Sequence, residues 1–178
     1  AVAFGMSEAP FGIESLNAGH DRLSFRSGSD PLDRYFREQA TQDVKRRVAA
    51  CFVAVDDSRA IAGYYTLASA GILLADLPHE LGKRLPRYPT VPAVRMGRLA
   101  VSQNFKGMGL GGALLADALN RSACSEIAAY ALVVDAKDGE AAGFYLHHGF
   151  VALPSTPLTL FLPLATALAS RKVGKAAQ

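Results

Sequence analysis

The spacing of apolar residues in the first part of the chain predicts one amphipathic helix flanked by short strands. From Leu32 to about Val48, apolar positions recur every three or four residues, which is the period of a helix with one buried face. Asp30 is suited to cap this helix, and Pro31 to occupy its first position. Short apolar runs predict strands at residues 11–16, 51–55 and 60–74, the last two as antiparallel partners across a tight turn.

The rest of the chain alternates between predicted strands and predicted helices. Four prolines between residues 78 and 92 indicate a short helix and a loop. The pattern then predicts a strand at 96–101, a glycine-rich turn at 107–112, a helix from Ala113 onward, a strand buried on both faces at 127–134, a helix at 140–148, and strands at 150–153 and 158–162. This order predicts a single α/β, or α+β, domain over residues 1–168, with helices covering a mixed sheet, followed by a flexible basic tail at 169–178.

Composition places the chain among ordinary globular proteins. It has 178 residues, of which 50% are hydrophobic and 20% charged, so it can bury a core and is not disordered throughout. No run approaches the roughly 20 apolar residues of a transmembrane helix, and residues 1–5 lack the pattern of a signal peptide. Cys51 and Cys124 both lie in apolar sequence and have neither metal-site nor disulfide spacing, which predicts two small buried thiols in a reducing cytoplasm.

Positive charge is unevenly distributed, although the formal net charge is only +3. Such clusters serve a polyanionic partner in some proteins and form a solvated helix face in others, and clustering alone leaves both interpretations open. One cluster is Lys45, Arg46 and Arg47, and the other is Lys83, Arg84, Arg87, Arg95 and Arg98.

The strongest chemical signal is the stretch 98–115, RLAVSQNFKGMGLGGALL, in which a strand runs through a glycine-rich turn into a helix. Backbone N–H groups at a helix start lack partners and carry a positive dipole, so such a turn can cradle phosphate, and Lys106 adds a point charge. No Gly-Lys-Ser/Thr follows, which excludes a P-loop. Gly107, Gly109 and Gly112 formally match a dinucleotide fingerprint with Asp135 downstream, but too few βα units follow to build a doubly wound sheet.

Two motifs resemble those of the GNAT superfamily of N-acetyltransferases. Lys106-Gly-Met-Gly-Leu-Gly111 is similar to the pyrophosphate-binding motif Gln/Arg-x-x-Gly-x-Gly/Ala, with Lys106 in place of Gln or Arg. Phe144-Tyr-Leu-His-His-Gly-Phe150 is similar to the second signature. The resemblance implies a GNAT fold: a central mixed, mostly antiparallel sheet with a V-shaped splay between two central parallel strands, helices on both faces, and acetyl-CoA bound in the V. It assigns cofactor binding to Leu99, Ala100, Val101, Lys106, Gly107, Met108, Gly109, Leu110, Gly111, Gly112 and Phe144.

Tyr145 acquires a catalytic role from the same resemblance. When an amine attacks a thioester, a thiolate must leave, and a phenol with a reference pKa of about 10 can donate a proton to it. His147 and His148 suit the end of a short helix and point in different directions, so we do not expect them to act as a base. No spacing of a metal site is present.

A wider resemblance, from about residue 10 to residue 163, is to the GNAT toxins of bacterial type II toxin–antitoxin modules. It rests on segments 25–35, 40–47, 63–67 and 92–101. It implies that the substrate is the α-amine of an aminoacyl-tRNA, that acetylation stops translation, and that the protein is a homodimer. It also implies that a ribbon-helix-helix antitoxin inhibits the enzyme and connects it to operator DNA.

The residues are consistent with that substrate. An α-amine has a reference pKa of about 7.7–8.0, so part of it is neutral at cytoplasmic pH and no strong base is needed. Basic side chains are expected to hold the tRNA, and Arg98 has the alternative of packing beside the cofactor. The alternatives are a GNAT enzyme for a small-molecule or protein amine, and a non-catalytic acyl-CoA-binding or DNA-regulatory protein, against which Tyr145 argues. The tRNA candidates are Arg22, Arg26, Lys45, Arg46, Arg47, Arg87, Arg95 and Arg98.

Overall fold

The computed structural model describes the backbone of residues 11–176 and the side chains of residues 11–170. The strands are β1 (Gly12–Ser15), β2 (Ala50–Val55), β3 (Ile61–Leu73), β4 (Thr90–Val101), β5 (Ala131–Asp135), β6 (Val151–Leu153) and β7 (Thr156–Pro163). The helices are α1 (Asp30–Glu38), α2 (Ala40–Lys45), α3 (His79–Gly82), α4 (Leu110–Ala123), α5 (Gly139–His147) and α6 (Leu164–Ala176). Short 3-10 turns lie at Leu74–Asp76 and Gln103–Phe105.

The strands form a seven-stranded mixed sheet in the order β1-β2-β3-β4-β5-β7-β6. β4 and β5 are parallel, whereas β1–β2, β5–β7 and β6–β7 are antiparallel. The pairing of β4 with β5 extends to Met96 opposite Val134, and β4 then continues to Val101. This is the predicted α/β architecture, with two central parallel strands whose pairing ends before the longer strand does.

The chain divides into two compact units with different cores. The first contains the described residues up to Thr66 together with Arg98–Leu114, and the second contains Leu67–Gly97 and the described residues from Leu115 onward. Aromatic rings dominate the first core, where Phe36 and Tyr64 stack with ring centroids 4.2 Å apart. The second core is mainly aliphatic, with Phe161 as its buried ring; its other buried members are Ile72, Leu77, Val91, Ala93, Ala131, Val133 and Leu153.

The first predicted helix is wrong in its start and its continuity. Ser29 occupies the capping position and Asp30 is already helical. The helix is interrupted at Gln39, whose φ of −119° departs from helical geometry, and α2 ends at Lys45 rather than near residue 48. Arg47 has a φ of 59°, a left-handed conformation that reverses the chain and cannot continue a helix.

Two boundaries around the glycine-rich turn also differ from the prediction. β4 begins at Thr90 instead of residue 96, because Pro92 lacks only a donor and its carbonyl accepts a 2.8 Å hydrogen bond from the Tyr130 amide. α4 begins at Leu110 instead of Ala113, so the last two glycines of the turn occupy the first helical turn.

The strand predicted at 127–134 begins only at Ala131, and Ile127 is 84% exposed. Cys51 is buried as predicted, but Cys124 is exposed at the end of α4, so the prediction of two buried thiols is wrong for that residue. The remaining predicted elements are confirmed within one or two residues, including β1, β2, β3, β6, β7 and α5.

The chain ends differ in what the structure describes. α6 runs to Ala176, so the backbone of residues 169–176 is helical, and residues 177–178 and 1–10 lie outside the described part. The division into a single domain at 1–168 and a flexible tail stays a prediction. No helix among the described residues has the length and apolar character needed to cross a bilayer.

Candidate active site

The glycine-rich turn is held open by its backbone conformation. Gly107 and Gly109 have φ values of 78° and 77°, which are left-handed conformations that side-chain-bearing residues rarely adopt. A Cβ added at either position would have no protein atom within 4 Å. These glycines are therefore required by the turn itself, and the space beside them is open to a ligand.

The start of α4 presents amide groups to this space. The first hydrogen bond of the helix runs from the Ala113 amide to the Gly109 carbonyl, over 3.2 Å. The N–H groups of Leu110, Gly111 and Gly112 precede it and have no backbone acceptor among the described residues. Since a helix start carries a partial positive charge, these amides suit a bound diphosphate.

A second loop lies against the same turn. Gly28 has a φ of 92°, and a Cβ placed there would come within 2.8 Å of Gln103 Nε2 and 3.6 Å of Lys106 Nζ. The Gln103 amide also donates a 2.8 Å hydrogen bond to the Arg26 carbonyl. The absence of a side chain at Gly28 thus allows an amide and an ammonium group to approach, a role that the sequence pattern around Gly28 did not indicate.

The end of β4 leads into the turn. Ala100 is buried, while Leu99 and Val101 are half-buried. Gly63 is required here, because an added Cβ would lie 2.8 Å from the Ala100 carbonyl oxygen. The next amide, of Ser102, donates to the Ala62 carbonyl at 2.8 Å. One edge of β4 is thereby occupied by β3, and its opposite edge has no β5 partner beyond Met96 in the described sheet.

Tyr145 is buried on α5 of the second unit, with 8% of its surface exposed. Its ring contacts those of Phe144 and Phe150 at centroid distances of 5.2 and 5.5 Å. The Phe150 amide donates to the Tyr145 carbonyl at 3.1 Å, across a turn in which Gly149 has a φ of 90°. The Gly-Phe pair of the second signature therefore ends the helix and fixes the tyrosine ring in place.

Burial raises the pKa of the Tyr145 phenol to about 12. No described residue forms a hydrogen bond with its hydroxyl group. A phenol that stays protonated and lacks a protein partner is available to donate to a ligand. Phe144 is half-buried, and its ring also contacts His148 at 4.7 Å. His147 and His148 are exposed, and α5 ends at His147, one residue before the predicted end.

Three of the basic side chains expected at a tRNA surface already bind carbonyl groups or an aromatic ring of the first unit. Arg22 donates to the carbonyls of Phe36 and Arg37, at 2.8 and 2.7 Å, near the end of α1. Arg26 donates to two carbonyls of its own loop. The Arg98 guanidinium lies 3.4 Å from the centroid of the Tyr35 ring, so it packs as a structural residue.

The remaining candidates for tRNA binding are one ion-paired arginine and four exposed cations. Arg95 forms an ion pair with Asp135, so its charge is already balanced. Arg87 is exposed and lines a cavity of about 530 Å³ together with the 71% exposed Tyr88. The exposed cluster is Lys45, Arg46 and Arg47. Asp135 was considered in the sequence only as part of a dinucleotide fingerprint, and its position at the end of an apolar parallel strand was the signal that could have marked it.

Comparison with known proteins decides the family. Residues 47–152, more than half of the chain, match the family model described as an acetyltransferase (GNAT) domain. The chain belongs to the GNAT acetyltransferase family. As a GNAT protein it is an N-acetyltransferase that uses acetyl-CoA. The open glycine turn and the unpaired amides at the start of α4 fit this cofactor, because they can supply hydrogen-bond donors to its diphosphate.

Two relatives extend the likeness over most of the chain. The GNAT chain is 38% identical over 156 residues to the "tRNA-acetylating toxin" of Mycobacterium tuberculosis (strain ATCC 25618 / H37Rv), covering 86% of this chain and 92% of that protein. It is 32% identical over 165 residues to "Probable toxin TacT" of Sinorhizobium fredii (strain NBRC 101917 / NGR234), covering 86% and 91%.

Solved structures of GNAT proteins have folds similar to that of this chain. AtaT complexed with acetyl-methionyl-tRNAfMet has a TM-score of 0.82 at 27% identity, covering 88% of this chain and 96% of that one. A KacT variant with a tyrosine-to-phenylalanine substitution has a TM-score of 0.83 at 26% identity, covering 90% and 99%. AtaTR bound with acetyl-CoA has a TM-score of 0.77 at 27% identity, covering 90% and 97%.

Proposed function

We propose that this GNAT enzyme acetylates the α-amino group of aminoacyl-tRNA and thereby acts as a toxin that blocks translation. The observation that carries the proposal is the buried Tyr145 phenol, whose hydroxyl has no partner among the described residues. It belongs to a chain that is 38% identical to a tRNA-acetylating toxin over most of its length. The other support is the exposed cluster of Lys45, Arg46 and Arg47, which forms no ion pair with any described carboxylate.

Binding of the donor is assigned to the first unit. The amides of Leu110, Gly111 and Gly112 hold the diphosphate. The left-handed φ values at 107 and 109 require glycine, so no side chain at these positions blocks the diphosphate. Lys106 adds a positive charge, and Met108, which is 58% exposed, is assigned to the same binding site. The unpaired edge of β4 at Leu99, Ala100 and Val101 binds the pantetheine arm through backbone groups.

Proton donation during acetyl transfer is assigned to Tyr145 of the second unit. Acetyl-CoA supplies an activated acyl carbon and a thiolate leaving group. The neutral α-amine forms a bond to that carbon as the carbon–sulfur bond breaks, and Tyr145 donates its proton to the departing sulfur. The new ammonium loses a proton to water, and the phenolate recovers one. No protein base is required because the reference pKa of an α-amine, about 7.7–8.0, leaves a neutral fraction at pH 7.

Recognition of tRNA is assigned to exposed cations. Lys45, Arg46 and Arg47 are exposed at the end of α2, and the left-handed φ of Arg47 ends the helical path of the backbone. Arg87 and Tyr88 form a second site, in which a cation binds a phosphate and an exposed ring stacks on an unpaired base of the 3′ end. Arg22, Arg26 and Arg98 are assigned supporting roles, because their guanidinium groups already have protein partners. Arg95 is not assigned to the tRNA backbone, because Asp135 balances its charge.

The assembly follows from the resemblance to toxins of toxin–antitoxin modules. We infer a cytoplasmic homodimer, inhibited by a ribbon-helix-helix antitoxin that also binds operator DNA. Sedimentation of the purified chain, alone and with the product of a neighbouring reading frame, tests both parts of this inference.

The experiment that tests the activity uses the whole chain, acetyl-CoA and total charged tRNA. After the incubation, aminoacyl adenosines are released by nuclease and examined by mass spectrometry. We expect N-acetylated aminoacyl adenosine from one or a few amino acids. Acetylation of a small amine or a protein under conditions in which every aminoacyl-tRNA is left unchanged would favour the other GNAT reaction.

A further inference from the structure

A pocket of about 400 Å³ lies where the two parallel strands part. Arg95 on β4 pairs with Val133, one step before the β4–β5 pairing ends, and Asp135 is the last residue of β5. β5 therefore ends at the pocket, whereas β4 passes it and continues to Val101. α5, with Tyr145, begins four residues after Asp135.

The floor of this pocket is apolar. Ile72, Val133 and Leu153 line it and are almost completely buried as part of the aliphatic core. Residues alternate along a strand, so Val133 and Asp135 project from the same face of β5. The pocket thus opens from the aliphatic core toward the polar side chains at its rim.

An ordered charged network surrounds the mouth. Arg95 forms an ion pair with one oxygen of Asp135, and the Thr159 hydroxyl donates to the other at 2.8 Å. The side chains of Arg95 and Asp135 are 37% and 58% exposed, so the pair faces the pocket and solvent. Asp76 and Thr156 complete the rim.

The charge of this rim determines which charged groups the pocket can bind. One cation, Arg95, stands against two carboxylates, Asp135 and Asp76, which leaves a net charge of −1. Such a rim repels phosphate, so Arg95 is a poor candidate for the tRNA backbone. Its carboxylates can accept hydrogen bonds from an α-amino group and its apolar floor accepts a neutral side chain, whereas a ligand's own carboxylate would be repelled.

The geometry points to this pocket as the site that receives the amino-acid side chain of the aminoacyl group, with Asp135, held by Arg95 and Thr159, facing the α-amine. The inference rests on the proposed function, since it names the part of the substrate that this pocket reads. It assigns neutral aminoacyl groups as acceptors and aspartyl and glutamyl groups as excluded.

The test reduces the volume of the pocket. Thr156 lines the rim, and Thr156→Phe fills it; Leu158→Phe adds a ring to an exposed position of the same strand outside the pocket. For each protein, kcat/KM is measured with glycyl-tRNA and with the bulkiest neutral aminoacyl-tRNA that the unsubstituted protein acetylates. The Kd for acetyl-CoA is measured in parallel.

We expect Thr156→Phe to lower the bulky-to-glycyl ratio at least about tenfold, in line with the discrimination of a shaped pocket, while the Kd for acetyl-CoA is unchanged. Leu158→Phe should leave the ratio unaltered. A second variant, Asp76→Asn, should raise the rate with aspartyl-tRNA relative to glycyl-tRNA. An equal loss with every acceptor, or an unchanged ratio, would overturn the assignment of the pocket alone. An unsubstituted protein that acetylates other amines but no aminoacyl-tRNA would overturn the proposed function and this inference together.

Discussion

The two compact units both bury tyrosines but use their hydroxyl groups differently. In the first unit the Tyr35 hydroxyl donates to Asp43 at 2.9 Å and the Tyr64 hydroxyl donates to the Leu32 carbonyl at 2.7 Å. In the second unit, the Tyr145 hydroxyl has no partner among the described residues. Burial raises the pKa of all three phenols. A hydroxyl with a protein partner stabilises the fold, whereas one without a partner is available to a substrate.

The largest expected effect separates these two uses. Tyr145→Phe keeps the ring and removes only the proton donor, so we expect kcat to fall by about 100- to 10,000-fold while the Kd for acetyl-CoA is retained. Single-turnover acetyl transfer and calorimetric titration measure the two quantities.

The matched control is Tyr64→Phe in the first unit. It leaves the Leu32 carbonyl without its donor and should cost about 1–3 kcal/mol in the free energy of unfolding, with little change in kcat. If Tyr145→Phe retained full turnover, or if both substitutions affected only stability, the two tyrosines would have the same structural role.

The pH dependence sharpens the comparison. The amine must be neutral, so kcat/KM should fall about tenfold per pH unit below an apparent pKa of about 7.7–8.0. The phenol must be protonated, and because burial raises its pKa to about 12, the rate should stay level from about pH 8 to pH 10. An acceptor in which an amide replaces the hydrolysable ester makes the alkaline range measurable. A decline centred near pH 10, the ordinary value for tyrosine, would contradict the raised pKa.

The exposed cations of the first unit provide a smaller effect. Changing Lys45, Arg46 and Arg47 together to Ala should weaken tRNA binding severalfold at low salt and reduce the slope of log Kd against log salt by roughly 0.7–0.9 for each phosphate that is no longer neutralised. Filter binding over a series of salt concentrations measures it. Arg26→Ala is the control, because the Arg26 guanidinium already donates to loop carbonyls. An equal decrease in the salt slope for Arg26→Ala would show that exposed cations and cations bonded to the protein contribute alike to tRNA binding.

The smallest expected effect concerns two arginines of β4. Arg98 stacks on the Tyr35 ring in the first unit, and Arg95 pairs with a half-exposed carboxylate in the second. Arg98→Met should cost about 1 kcal/mol of stability, and Arg95→Met between about 0 and 1 kcal/mol, because exposed ion pairs contribute little. Urea denaturation compares them. A larger destabilisation by Arg95→Met would show that its ion pair is structural rather than part of a ligand pocket.

Local pattern was sufficient for most of the elements and for both GNAT signatures. Glycines at 107 and 109, and the Gly-Phe pair at 149–150, have conformational requirements that depend on nearby backbone alone, so their roles were predictable. The boundaries of α1, β4 and β5 were not. They depend on partners distant in sequence, such as the Tyr130 amide that accommodates Pro92 within a strand.

The sequence by itself therefore determined the family and predicted a phosphate-binding turn and a catalytic tyrosine, because each is carried by residues adjacent along the chain. Only the tertiary structure decided which basic residues remain free. Arg95 lies 40 positions from Asp135, and Arg98 lies far along the chain from Tyr35. Whether a charge is balanced depends on what folding brings within a few ångströms of it, and the pattern of charges along a sequence does not contain that distance.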